Sequence, residues 1–437
     1  MLDPMLDYSD SFRPDLELED FEHSLLAWYG REIMLANHIH DRGALLQVTL
    51  QYGMEAQTAV ACDEWMSSSP IYNARNRALL NIQTDDVATV FKCLQVDIGA
   101  PHNFLEFHYE VVSPDEGFFW TTSCGPYNHV RRMTNADPAM ETQICHHMED
   151  PTFDATVMAV NPRMRCRPEY RPPYGDVPKG GPCRWRVAVE YDIGMVEDNP
   201  ILRIVRESLA ADFEFSPITV DGGGMADYSG EFKRDFVLND LSHTVLARQC
   251  KEFALDVHLL NRACYTSIAE RWGEDVLVPI AVEQWRAMAP ITVHRLREAF
   301  KINGDSMSSV LKVLQINPFF PREYLKLSFE LIDENRGRLW LQDCAALHET
   351  QARGIISLMT HHPETPGFDA IATAVNPFAR VVMLDPQQIP GAELAWEISI
   401  DRTREAVAPS EYAELVAGAD LMSLDLSDHQ YHYLTAN

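Results

Sequence analysis

Residues 146–162 read HHMEDPTFDATVMAVNP, and residues 361–377 read HHPETPGFDAIATAVNP. Eleven of the seventeen positions are identical, where unrelated stretches share roughly one, so the pair predicts a tandem duplication. Sliding the chain on itself by 220 residues extends the match: His23 meets His243, His38 meets His258, Arg42 meets Arg262 and Gly53 meets Gly273. The same register pairs Trp65 with Trp285, Arg75 with Arg295, Trp120 with Trp340 and Cys124 with Cys344. The first copy then carries five extra residues, after which the opening string aligns at an offset of 215 and Arg165 falls on Arg380.

This register predicts a first repeat at 20–192, a linker at 193–239, a second repeat at 240–401 and a C-terminal tail at 402–437. The linker contains FSPITVDGGGMADYSGEF, whose Gly and Pro density reads as an exposed loop. The acidic first twenty residues and the tail SLDLSDHQYHYLTAN are expected to be arms or mobile ends.

Both copies show the same order of patterns. SLLAWYGREIMLANHIHDRGALLQVTLQYG is a long helix by the spacing of Leu35, Ile39, Leu46 and Leu50, with Gly53 as its stop. A second helix should follow Trp65 and Pro70 and carry Arg75 and Arg77. FLEFHYEVVS and GFFWTTSC alternate at period two and are joined by SPDEG, which predicts a hairpin ending at Cys124; YLKLSFELID and GRLWLQDC take the same places later. Phe153, Val157 and Val160 fit a short helix that Asn161-Pro162 ends, and RMRCR and RWRVAVEYD follow as strands, the latter matched by AWEISID. The expected fold class is α+β: two tandem homologous repeats, each helical and then antiparallel, forming an internal pseudo-dimer.

Composition narrows the function. Thirty-six Lys and Arg against 65 Asp and Glu leave a formal charge of −29, which repels nucleic acid and anionic membranes. The acidic, Pro-broken start lacks the pattern of a signal peptide, and no apolar run reaches membrane-spanning length, so a soluble, cytoplasmic protein is expected. Nine cysteines without a secretion signal are expected as reduced thiols. The expected partner is a small-molecule substrate, with homo-oligomer formation open.

On a helix, His38, Asp41 and Arg42 share one face. A carboxylate beside a histidine can fix its tautomer and raise its basicity, while the arginine can clamp an acid. The second copy has Asn261 for Asp41, which favours the first copy as the active one. Cys124, Cys145, Cys166 and Cys183 also crowd the first copy, where only Cys124 has a counterpart. Their spacing lacks the CxxC knuckles of zinc sites, and mixed ligand sets from HIHD or HHxED remain open. No GxGxxG, GxxxxGK[ST] or GxSxG anchors nucleotide or serine-hydrolase chemistry.

The run from Cys124 through Cys145, AVNPRMRCRP and PPYGDVPKGGPCRW resembles the C-terminal part of L-2-amino-thiazoline-4-carboxylic acid hydrolase-like domains, a group touching the 4-vinyl-reductase-type domains. HDRGALLQVTLQYGMEAQTAVACDEW is similar to that group's helical part. The resemblance implies ring opening of a small heterocyclic acid, with Cys124, Cys145, His40 and Asp41 as candidates. The chain departs from the group in being duplicated, in having Leu260 opposite His40 and in lacking the PP and CxW elements in its second copy.

The residues together predict an enzyme acting on a small organic acid or an aromatic or heterocyclic compound, by hydrolysis or base-initiated cleavage. Hydrolysis is favoured over lyase chemistry, and a metal-dependent lyase or a non-catalytic ligand- or metal-binding protein is the alternative. His38, His40, Asp41 and Cys124 are the catalytic candidates, and Arg42, Arg75, Trp120 and Arg165 the substrate-binding ones. His147, Cys145 and Cys183 are the metal candidates, and the cofactor is expected to be none or a single zinc or iron ion.

Overall fold

The computed structural model describes residues 4–174, 176–191, 198–348 and 367–416. The chain opens its helical core with α1 (His23–Tyr52), which starts where the Glu22 carboxylate accepts from the Ser24 N–H and ends at Gly53, φ +83°. Its buried residues, among them Leu26, Ile33, Ile39 and Val48, lie all round the helix, as a helix enclosed by others requires. The next helix, α2 (Met54–Leu79), starts well before Trp65 and runs through Pro70. Packing along α1 and α8 (His243–Trp272, below) outweighs the one hydrogen bond that Pro70 cannot make.

After α3 (Val87–Gln95) come the hairpin β1 (Leu105–Ser113) and β2 (Glu116–Cys124), ending at Cys124 as the alternation predicts. Then follow α4 (Gly125–Thr134), α5 (Pro138–Thr142), a π-helical turn Gln143–Met148, α6 (Glu149–Val160), β3 (Met164–Tyr170) and β4 (Cys183–Val189). The strands form one antiparallel sheet in the order β1-β2-β4-β3. Phe119, Trp185 and Val187 on its inner face pack with Phe91 of α3 and Val157 of α6 in a core of their own.

A short α7 (Pro200–Arg206) leads to α8 and α9 (Glu274–Ala299). After them come α10 (Met307–Gln315), α11 (Arg322–Leu325), β5 (Leu327–Asp333) and β6 (Arg336–Leu341). The helix Gly367–Val375, β7 (Ala379–Leu384) and β8 (Leu394–Ile400) complete a second antiparallel sheet, ordered β5-β6-β8-β7. The architecture is α+β. Of the second opening string, His361 to Pro366 lie outside the described residues, as does the tail SLDLSDHQYHYLTAN.

The two halves meet through the four long helices, α1 on α9 and α2 on α8. Their contacts come in matched pairs. His23 Nε2 bonds to the Leu241 carbonyl at 2.9 Å, and His243 Nε2 to the Phe21 carbonyl at 2.8 Å. Arg75 pairs with Glu252 (Nη2–Oε2 2.8 Å), and Arg295 with Glu32 (Nε–Oε2 2.6 Å).

Two of the segments expected to be loose, the N-terminal arm and the stretch around Tyr228, are packed. Tyr8 is fully buried, donates to Gln315 of α10, and has its carbonyl held by Lys312 Nζ. Tyr228, in the expected linker, is equally buried, donates to Gln95 of α3, and has its carbonyl held by Lys92 Nζ. Acidic composition obscured these aromatic anchors, although the 220-residue register continues through Met5/Met225, Tyr8/Tyr228 and Phe12/Phe232. Among the described residues no helix is long and apolar enough to cross a membrane.

Candidate functional site

A cavity of about 360 Å³ lies in the first half between α1, α2, the inner face of the sheet and the α4–α6 segment. That volume falls in the range of small-molecule pockets. Its walls are mostly apolar, with Leu45, Trp65, Phe107, Met133 and Phe153 among them. Five sequence-predicted residues, His38, Asp41, Arg42, Cys124 and Cys183, line it.

His38 projects from α1 between the rings of Trp65 and Phe104, with centroids 6.0 and 5.2 Å away. Its Nε2 lies 2.9 Å from the Gly99 carbonyl. A carbonyl only accepts, so the proton sits on Nε2 and Nδ1 keeps its lone pair. Burial and the nearby Arg42 push the imidazole down to about 3, against the pull of the Gly99 carbonyl, so the ring is neutral. Gly99 is held in turn by Asp97, whose Oδ1 accepts from the Gly99 N–H at 2.7 Å while its carboxyl accepts from the Tyr72 hydroxyl. Burial raises Asp97 to about 6 despite these bonds.

Arg42 lies against the Phe104 ring, 5.5 Å from its centroid, and donates from Nη1 to the His38 carbonyl at 2.8 Å. Among the described residues it forms no ion pair with a carboxylate. Burial lowers it to about 10, partly offset by Asp41 and Cys124, so it stays a cation at neutral pH. Asp41 is 6% exposed and is raised to about 7 by burial, with Glu64 and Arg42 opposing.

On the opposite wall stands Glu149, the first residue of α6. Burial raises its carboxyl to about 8, Arg171 opposing and Asp150 reinforcing. Cys124, Cys145 and Tyr127 form a small buried cluster beside it. Burial, with Cys183 and Glu149 nearby, holds the Cys124 thiol well above its ordinary value, so it is a neutral thiol rather than a thiolate.

The remaining predicted residues lie elsewhere. His40 is fully buried on the other side of α1, where Asn261 Nδ2 approaches its Nε2 at 2.5 Å and Gln284 Nε2 lies 3.0 Å from its Nδ1. Positions two apart on a helix point about 200° from each other, so residues 38 and 40 cannot share one site. Arg75 is spent on Glu252 at the junction of the halves. Trp120 faces outward, because strand alternation that turns Phe119 and Thr121 inward turns it out, where it stacks on His108 at 5.6 Å. Arg165 is buried and ties down the Pro162 and Met164 carbonyls at the start of β3. His147 is exposed on the π-helical turn. Among the described residues His147, Cys145 and Cys183 bring no set of ligand atoms together at metal-binding separations.

Sequence reading singled out neither Glu64, Asp97 nor Gly99. The signal was present in the 220-residue register, which sets Asp41 against Asn261, Glu64 against Gln284 and Asp97 against Asn317: each acid meets its own amide. The register also sets Gly99 and Ala100 against Phe319 and Phe320. In the second half those two phenylalanines are buried against Trp285, and Phe320 also meets Phe368 at 4.6 Å. Among the described residues, the second half thus has packed aromatic rings at the positions where the first half has Gly99 and Ala100 at the cavity wall. Comparison with protein-family models, curated proteins and solved structures returns no match to this chain.

Proposed function

We propose that the chain is a tandem duplication folded as an internal pseudo-dimer, whose first half is an enzyme for a small organic acid and whose second half is its scaffold. The substrate class is an aromatic or heterocyclic carboxylate, of which the resemblance to amino-thiazoline carboxylic acid hydrolases implies the heterocyclic one. One observation carries this reading: Arg42 is a guanidinium without a carboxylate partner among the described residues, facing an apolar chamber of small-molecule size. Arg42 is half-buried at the chamber wall, and a carboxylate entering the chamber would meet its guanidinium through charge-assisted hydrogen bonds in apolar surroundings.

The chemistry favoured is hydrolysis. In this reading Glu149, whose carboxyl holds its proton near neutral pH and lines the cavity, would donate that proton to a leaving heteroatom. His38 and Asp41 offer polar contacts on the opposite wall, and Cys124 lies at the cavity surface as the nucleophile candidate. The protonated state of that thiol favours a second reading, a protein that binds the acid without turning it over.

Turnover decides between them. The full chain is incubated with a panel of aromatic and heterocyclic carboxylic acids, and products are followed by mass spectrometry. The enzymatic reading expects an acid that gains one water or splits, with the rate lost in Arg42→Met and Glu149→Gln. A panel that binds but is left chemically unchanged establishes the binding protein instead.

A further inference from the structure

The four-helix junction contains a polar cluster that shares only Asp41 with the cavity. Asp41 and His40 on α1 and Glu64 on α2 bring one ligand atom each to within 4.8 Å of one another. All three are buried, and His40 and Glu64 are entirely without solvent contact. No amide, hydroxyl or cationic donor reaches either Glu64 oxygen or Asp41 Oδ1; the two carboxyl groups meet each other, and the Cys264 thiol is a weak donor beside Glu64. What Glu64 faces is the Asp41 carboxyl and the Cys264 thiol. Two carboxyl groups this close in a dry interior cannot both stay ionised without a cation or a shared proton.

The opposite side of the cluster comes from the second half. Asn261 and Gln284 approach the His40 ring, and Asn261 Oδ1 is a further buried oxygen without a donor. Gln284 also accepts from the Tyr265 hydroxyl at 2.7 Å, which anchors it. Asn261 can present its oxygen to the cluster by a half-turn of its amide, whereas Gln284 is held in place by Tyr265 and by its bond to the His40 carbonyl. In the 220-residue register these amides occupy the places of Asp41 and Glu64, and Leu260 that of His40. Of the two matched sites only one therefore has anionic ligands, and the other supplies neutral amides to the same junction.

We infer that His40, Asp41 and Glu64 bind one first-row divalent cation, with Asn261 closing the site from the other half. One imidazole and two carboxylates suit Mn²⁺, Fe²⁺ or Zn²⁺ rather than Ca²⁺ or Mg²⁺. The ion would join α1 to α2 across the junction and border the cavity through Asp41, which lines both. The inference stands apart from the acid-binding reading, since metal uptake needs no ligand in the chamber.

The test is metal content of the full chain purified without chelator, followed by stripping and titration with Mn²⁺ and with Zn²⁺ by calorimetry. About one equivalent per chain is expected, with a raised melting temperature on reloading. Glu64→Gln and His40→Leu, which copy the second half, should weaken uptake by at least about tenfold. Asp63→Asn, on the same helix but paired with Arg271, should leave uptake unchanged. A stripped wild-type chain that takes up neither ion stoichiometrically overturns the inference, whether or not the variants fold. So does uptake unchanged by Glu64→Gln. A Glu64→Gln protein that is more stable than the metal-free wild type and indifferent to metal identifies a shared proton instead.

Discussion

Phe320 lies flat against Trp285, with ring centroids 5.7 Å apart and planes 3° from parallel. At the matching place in the first half stands Ala100, beside the cavity and one residue from Gly99. A Cβ on Gly99 would come within 2.6 Å of Trp65 Cζ3. Ala100 thus puts a methyl group at the chamber wall where the second half has a phenylalanine. Ala100→Phe should close the chamber and abolish ligand binding while circular dichroism stays native. Conversely, Phe320→Ala should cost about 3–5 kcal/mol of unfolding free energy, the penalty of a large core deletion, as measured by denaturant titration.

Arg295 and Glu32 form a bidentate pair, Nε–Oε2 2.6 Å and Nη2–Oε1 2.8 Å, with both side chains buried. Arg295→Met leaves the buried Glu32 with only Arg31, 3.8 Å away, to offset its charge, and should lose about 3 kcal/mol. Arg75→Met, at the matched pair, should lower stability but leave ligand affinity within about twofold, because Arg75 does not reach the cavity. Parallel unfolding and binding measurements check both.

The Glu149 carboxyl, ordinarily near 4.5, is raised to about 8 by burial. Below the ordinary value both folded and unfolded chains hold the proton. As pH rises the unfolded chain releases it first, so stability falls until pH passes about 8. Glu149→Gln removes that slope. It should match the wild type near pH 4.5 and exceed it above pH 8 by ~1–3 kcal/mol. Urea unfolding at several pH values measures the difference.

All nine cysteines are free, and eight of them are buried. The half-buried one, Cys62, is pushed up to about 11 by burial and Asp63. A disulfide-exchange reagent at pH 8 should therefore label the native protein slowly and react with all nine thiols promptly after unfolding. Fast native labelling of Cys124 would show a thiolate where the structure has a thiol.

The long helices and hairpins were legible because their apolar spacing and turn residues are local signals, as at Gly53 and across β1–β2. Site convergence was partly legible. His38, Asp41 and Arg42 follow from helix geometry, whereas Arg75, Trp120, Arg165 and His147 carry the same chemistry without facing the cavity. Which face an arginine or a tryptophan takes depends on partners far along the chain, such as Glu252 for Arg75. The buried arms were missed for a related reason. Tyr8 and Tyr228 are single anchors in polar segments, and their pockets are built by helices of the opposite half.

The most direct measurement is calorimetric titration of the wild type and of Arg42→Met with an aromatic or heterocyclic carboxylate that the panel identifies, alongside its uncharged amide. One site per chain is expected, with the amide much weaker. Arg42→Met should lose about 2–3 kcal/mol of binding, roughly 30- to 150-fold. Two equal sites per chain, or affinity unchanged by Arg42→Met, would contradict a single acid-binding chamber in the first half.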